Sequence, residues 1–286
     1  MAGNQKILNS TAIGSLSSYE NKGGFLTSAG RIVGPDTYKG ILLNTTMSLV
    51  GGYNKSTSIR VTASDGYALM YTFTQLSGNV TTYDPKTANE VKHNQTFVPM
   101  LAYYINGGNL SSSEGPLRLV FVGPEALIVD GHLSIKFVSK IEVLPAVMEY
   151  TLKLNGTLKE NMDRATFESG ATCHGKNWTD ADGQVWRGVP LWLLVGRVDD
   201  SVQHEGLAFN RSLAEIGYDV MIIAADGYSV TLNASTIKFN DNIILANWIN
   251  RQPLSEKYWP LRLVGNGISS GQMIRNVNEI RIIYKG

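Results

Sequence analysis

One cysteine, Cys173, stands in the whole chain, between Thr172 and the pair His174-Gly175. A lone thiol cannot close an internal disulfide; in an oxidising compartment it is buried, paired between chains or bound to something. The second stretch with chemical content is Gly267-Ile268-Ser269-Ser270-Gly271, which follows the apolar run Leu261 to Val264. It fits the Gly-x-Ser-x-Gly pattern of a nucleophile elbow. That elbow needs a strand-to-helix turn, then an acid and a histidine later in the chain. The last histidine, His204, precedes the serine, and the residues beyond the loop read as a strand. A dinucleotide fingerprint fails as well, for no helix follows and too little chain remains for a ribose-binding acid. The loop keeps one general capacity: a glycine-rich turn can aim backbone N–H groups at an anion, with Arg262 or Arg275 adding charge. The plainer alternative is a solvated loop with surface arginines.

Metal and sugar chemistry find less support. The histidines His93, His132, His174 and His204 are scattered. Cys173 and His174 lie in a stretch read as strand, which turns neighbouring side chains to opposite faces and away from one shared zinc. Asp180-Ala181-Asp182-Gly183 and Asp241 lack the twelve-residue spacing of a calcium loop and read as solvated turns. Trp178, Trp248, Tyr258 and Trp259 could stack on a sugar, but packing is the favoured reading.

These residues must be positioned by a chain with a net charge of +1 and 17% charged residues, which gives no basic footprint for nucleic acid. No apolar run reaches the roughly 18 to 20 residues that span a bilayer. Met1-Ala2-Gly3 does not open a signal peptide, so an exported protein would have lost its leader. Asn-x-Ser/Thr sequons begin at Asn9, Asn44, Asn54, Asn79, Asn94, Asn109, Asn155, Asn177, Asn210 and Asn233. Some arise by chance in so polar a chain. Together with the low charge they suit an extracytoplasmic or cell-surface protein.

Taken in order, the chain reads as one unit written twice. Residues 1 to 24 are polar and loose, with Asn21-Lys22-Gly23-Gly24 as a turn. Short helical turns run from Tyr38–Leu43 to Val50. Ile59 to Ala63, Ala68 to Phe73 and Val98 to Ile105 are strands, and Ser77 to Asn94 is an exposed excursion. In the second pass, Trp186 to Leu191 answers Tyr38 to Leu43, 148 residues on. Ala225-Asp226-Gly227-Tyr228 answers Ser64 to Tyr67 at 161, Leu245 to Asn250 answers Leu101 to Asn106 at 144, and Ile280 answers Ile141 at 139. Pro260-Leu261-Arg262-Leu263-Val264 answers Pro116-Leu117-Arg118-Leu119-Val120, again at 144. Too few copies and too long a period exclude a solenoid. The boundary falls near Leu144-Pro145-Ala146, so the repeats are 1–145 and 146–286. The helical stretches expected in the second are Leu191 to Val195 and one within Leu207 to Ile216. Period-two alternation elsewhere makes the fold class β-rich α+β.

At this point a family likeness emerges. The order Trp186-Arg187-Gly188-Val189-Pro190-Leu191, Ala225-Asp226-Gly227-Tyr228-Ser229-Val230 and Pro260-Leu261-Arg262-Leu263-Val264 resembles the molybdopterin-binding domain of the sulfite oxidase family, over nearly the whole chain. The resemblance implies two tandem copies of that fold. It also implies molybdenum or tungsten held by a Cys173 thiolate in Cys173-His174-Gly175, a fitting 13 residues before Trp186. The cofactor's phosphate would then lie against Gly267 to Arg275. Cys173, Gly175, Arg187, Arg262, Gly267, Ser269, Ser270 and Arg275 would contact the molybdopterin. The departures are Lys176-Asn177-Trp178 where the family has Asn-Arg-Arg, and Lys257-Tyr258-Trp259-Pro260 where it has His-Gly-Phe-Pro. Gln272-Met273-Ile274-Arg275-Asn276 keeps one basic position of another motif. The first repeat has no cysteine, and Glu125 enters its equivalent loop, so it is expected to be a cofactor-free copy. Two readings follow: a non-catalytic exported module for a small anionic ligand or a cell-surface partner, or a molybdopterin-dependent oxidoreductase.

Overall fold

Alternating apolar residues bounded by glycine and asparagine turns make strands the dominant regular structure of the chain, well ahead of helices, as a computed structural model shows. The structure describes residues 4–27, 30–202 and 209–284; His204 and the start of the stretch 207–216 lie outside them. Two units divide the chain, Met1–Met148 and Glu149–Gly286. Among the described residues no helix is long and apolar enough to cross a membrane.

The first unit begins with α1 (Ser10–Gly14), β1 (Tyr19–Leu26), β2 (Ile32–Leu42) and α2 (Leu43–Ser48). Then come β3 (Thr57–Ala63), β4 (Ala68–Thr72), α3 (Phe73–Leu76), β5 (Thr82–Tyr83) and β6 (Glu90–Val91). β7 (Val98–Ile105), β8 (Gly108–Asn109), β9 (Arg118–Val122), β10 (Ile128–Asp130) and β11 (Val138–Pro145) complete it. One sheet has the order β2-β7-β9-β1-β10-β5-β6; because β1 also pairs with β2, the strands β2, β7, β9 and β1 close a ring. A second sheet, β11-β3-β4, carries the alternating core residues Ile59, Val61 and Ala63.

Two expectations are corrected here. Asn21 to Gly24 is not a turn but the middle of β1. The glycines serve contact: a Cβ on Gly23 would stand 2.6 Å from Phe121 O, and one on Gly24 2.5 Å from Val33 O. The excursion from Ser77 to Asn94 is also tied down, through β5 on β10, with Val80 and Thr82 buried.

The second unit starts with β12 (Thr151–Asn155), β13 (Lys159–Asp163), α4 (Arg164–His174), β14 (Lys176–Thr179) and β15 (Val185–Pro190). It continues with α5 (Leu191–Val195), α6 (Arg211–Ile216), β16 (Tyr218–Ala224), β17 (Ser229–Asn233) and α7 (Ala234–Ile237). β18 (Ile243–Ile249), β19 (Gln252–Pro253), β20 (Arg262–Gly265) and β21 (Val277–Tyr284) end it. One sheet runs β13-β12-β21-β16-β17; the other runs β14-β15-β18-β19, with β20 on β18. Its main core takes Leu152, Leu154, Phe167, Leu191, Val220, Ile222, Leu245, Leu263 and Ile280. Each fully buried leucine there contributes roughly 2 to 5 kcal/mol against alanine.

Cys173 and His174 belong to the last turn of α4, not to a strand. Asp163 starts that helix by accepting from Thr166 N at 2.8 Å. Arg164 is buried with its guanidinium facing Glu149 and Glu168. Burial raises the Glu168 carboxyl to about 6 although Arg164 pulls it down. For Arg164 burial acts downward, but Glu168 and Glu149 outweigh it and hold its pKa above the usual value.

Candidate functional site

α4 packs on β15, and this contact assembles part of the predicted site. Gly175 caps the helix; a Cβ on it would meet Ala171 O at 2.1 Å and Gly188 O at 3.2 Å. Close approach of helix and strand therefore explains this glycine without a ligand. Arg187, exposed on β15, donates from Nη2 to Ala171 O at 3.3 Å. The guanidinium thus covers the carbonyl end of α4, where a cation suits the helix dipole. Cys173 is exposed on the same last turn. Cys173, Gly175 and Arg187 are neighbours, but they gather at a helix C-terminus, the end of a helix that does not attract anions.

Arg262 lies elsewhere. Its guanidinium lies over the rings of both Trp186, at 4.5 Å, and Tyr258, at 4.4 Å, which meet each other edge to face at 5.4 Å. Trp186 and Arg187 are successive residues of β15 and point to opposite faces of the sheet. The Trp186 face packs with Ile244, Ala246 and Val264; the opposite face meets α4 through Val189 and Leu245. Arg262 and Cys173 are consequently on opposite sides of one sheet. The arginine at the matching place in the first unit has a similar setting. Arg118 is buried over the Phe25 ring at 4.5 Å, donates to Ser134 Oγ at 2.9 Å and pairs with Glu114.

The loop after β20 leaves Gly267, Ser269, Ser270 and Arg275 exposed. Gly267 adopts φ +86°, which a side chain would strain. The Ser269 amide is already satisfied: its N–H donates to Gln272 Oε1 at 2.9 Å, closing a capping box around a short 3-10 turn, Ser270–Gln272. The nucleophile-elbow geometry is absent, since β21 and not an α-helix follows. Trp178 Nε1 donates to Asn266 Oδ1 at 2.9 Å and ties the loop to β14. In the first unit, the acid that enters the equivalent loop is also in use: Glu125 accepts from the backbone of Asn94 and Gln95.

The aspartates of the suspected cation loops serve the fold. Asp180 accepts from Asp182 N, Gln184 N and Trp186 Nε1. Slight burial raises its carboxyl, but the Trp186 bond and the two amides outweigh this and hold it below the ordinary range. Asp241 accepts from Trp192 Nε1 at 3.0 Å and pairs with Lys176 at 2.9 Å. Among the described residues no three His, Cys, Asp or Glu gather where an ion could sit. Trp178 and Tyr258 pack against Trp186, and Trp259 sets its edge on Tyr150 at 6.2 Å, in keeping with packing as the role of these aromatics.

Sequence reasoning attached nothing to an open cavity of about 250 Å³ in the first unit, lined by Ser77, Asn79, His93 and Gln95 among others. His93 Nδ1 lies 2.7 Å from Gln95 O, so this ring nitrogen is engaged by the loop itself. A histidine between a lysine and an asparagine carries no sequence signal that would have marked it.

No protein-family model matches the chain, and no curated protein matches it. Among solved structures it is similar to the sulfane dehydrogenase SoxCD from Paracoccus pantotrophus, at 17% identity and a TM-score of 0.35. The match covers 48% of this chain and 38% of that one. A likeness that slight fixes neither fold nor activity.

Proposed function

We propose that the chain is a tandem pair of sulfite-oxidase-like domains acting as a non-catalytic, extracytoplasmic module for a surface partner or small anionic ligand. The duplication is supported by local details that recur at matched places. Asn106 Oδ1 accepts from Thr37 N at 3.0 Å, and Asn250 Oδ1 accepts from Val185 N at 2.9 Å; both asparagines have φ +49°. Ser64 N donates to Phe137 O as Ala225 N does to Asn276 O. Leu119 N donates to Ile135 O as Leu263 N does to Ile274 O. Such agreement across turns and strand crossings is what two copies of one fold would retain.

The observation that carries the non-catalytic reading is the division of the suspected cofactor ligands. Cys173 and Arg187 stand on one face of the β14–β15–β18 sheet and Arg262 on the other, while Ser269 spends its amide on Gln272. As they stand, these residues do not fit one molybdopterin. The sequons favour an exported setting: Asn155 and Asn210 are half-buried, and the other eight asparagines are exposed. The oxidoreductase reading keeps one favourable observation, the neighbourhood of Cys173, Gly175 and Arg187. The test is to produce the chain and its Cys173→Ala variant in a host that makes the cofactor, denature both, and assay released pterin by fluorescence. The proposal expects none from either. Pterin released by the parent protein and missing from the variant would establish the oxidoreductase reading instead.

A further inference from the structure

The two units differ most at one sheet edge. In the second, β12 adds in parallel to the edge of β21, with Leu154 beside Ile280, and β13 covers β12 in turn, giving five strands. Ile280 is then fully buried and Ile282 nearly so. The matching sheet of the first unit has three strands, β11-β3-β4. There β3 pairs with one side of β11, and among the described residues no strand pairs with the other. Ile141 and Val143, which face Val61 and Ile59 as Ile280 and Ile282 face Ile222 and Val220, are left half-buried. Ala146 N donates to Ser56 O beyond the pair Pro145–Thr57, so that pair exchanges no bonds of its own. Bonded and non-bonded pairs alternate along an antiparallel ladder. Ile141 and Val143 therefore turn their N–H and C=O groups away from β3, toward the open side. Such an edge is a template for a further strand.

We infer that the open edge of β11 pairs with the same edge of a second copy of the chain, antiparallel about a two-fold axis at Ile141. The covered edge of the second unit shows what charge such a contact takes: Lys153 of β12 stands beside Glu279. β11 has Lys140 at that place and calls for an acid opposite, which a strand like β12 would not supply. Its own sequence does. In the two-fold register Lys140 stands beside Glu142 of the second copy, and Glu142 beside its Lys140. The ion pair now made within the strand, Lys140 Nζ to Glu142 Oε1 at 2.6 Å, is thereby joined across the contact. Ile141 has the outward-facing backbone that the centre of this pairing requires, and it exchanges both N–H···O bonds with Ile141 of the second copy. Its side chain and that of Val143 gain cover on the apolar face, as Ile280 does where Leu154 lies beside it. An isologous contact closes on itself, and two three-stranded sheets become one of six strands, a usual size. Natural edges are guarded by lysine, proline or a bulge, and β11 has Lys140, Pro145 and a bulge at Ser139. Here Glu142 answers the lysine. The bulge and the proline confine the pairing to the middle of the strand, which makes the dimer a weak one. It requires neither the duplication nor the function proposed above.

The test is sedimentation velocity of the full chain across a dilution series in reducing buffer, with hydrogen–deuterium exchange on the same samples. The parent should associate to dimers. The amides of Ile141 and Val143 should exchange more slowly as dimer forms, with residues 277–284 unchanged. Lys140→Glu sets acid against acid at both places and should weaken association about tenfold or more. Lys140→Glu with Glu142→Lys restores opposite charges in the same register and should return association to the parent level, which separates a lost contact from a misfolded chain. A parent chain that stays monomeric overturns the inference. So does a double variant as weak as the single one. A dimer indifferent to Lys140→Glu, or one that leaves exchange over residues 138–145 unchanged, also overturns it, because another surface would then hold the copies together.

Discussion

Gly188 lies directly against Ala246: a Cβ added to Gly188 would stand 2.5 Å from Ala246 Cα and 1.9 Å from Leu245 O. Gly40 bears the same relation to Ala102, with its added Cβ 2.6 Å from Ala102 Cα and 2.1 Å from Leu101 O. Each glycine follows a register shift, between Arg187 and Gly188 in one ladder and between Lys39 and Gly40 in the other. The obstacles are backbone atoms, which cannot step aside as a flexible side chain would. Gly188→Ala and Gly40→Ala should therefore each destabilise their own unit by about 3 kcal/mol or more. Urea unfolding of the two variants, followed with the parent, checks this.

A second prediction concerns the asparagine clamps. Asn250 offers its side-chain oxygen to Val185 N while its own N–H donates to Val185 O at 2.7 Å. Asn250→Ala removes the acceptor and places alanine at a left-handed φ. The expected loss is about 1 to 2 kcal/mol. Asn250→Gly relieves the backbone part alone and should recover some of that loss in the same unfolding assay.

Acid dependence supplies a third. With the folded Glu168 carboxyl at about 6 and the free group at 4.5, the folded state holds its proton at pH values where the unfolded chain has released it. Its contribution is therefore full below about pH 4.5 and lost as pH rises through 6, by an amount on the order of 2 kcal/mol. Glu168→Gln should flatten that part of the profile, whatever it does to absolute stability. Melting temperatures of both proteins between pH 4 and pH 7 read the difference.

The thiol gives a fourth. Because Cys173 is exposed on the last turn of α4, the native protein should react with one equivalent of a thiol reagent without prior unfolding. Cys173→Ala should change stability by no more than about 0.5 kcal/mol. A thiol that reacts only in denaturant contradicts this placement.

What was readable in the chain was local. Val61, Ile59 and their neighbours alternate, so β3 announces itself, and Leu191 to Val195 forms the short helix its apolar run suggests. α4 escaped because Arg164 to His174 is mostly small and polar, and it buries Ala165, Phe167 and Ala171 rather than a long apolar stripe. Its signal was the capping residue Asp163. The pair Gly23-Gly24 misled because glycine marks turns and close strand crossings alike. For the candidate site, the neighbourhood of Cys173 and Arg187 could be anticipated from their short separation. The opposite placement of Arg262 could not, for it depends on β18 lying between β15 and β20, a pairing that no single stretch of residues encodes.

The measurement that bears most directly on the account is metal content. Chain purified from a host that makes the molybdenum cofactor would be analysed by mass spectrometry for molybdenum and tungsten. The account predicts far less than one atom of either per chain, with no difference between parent and Cys173→Ala. One atom per chain, lost on that substitution, would contradict it.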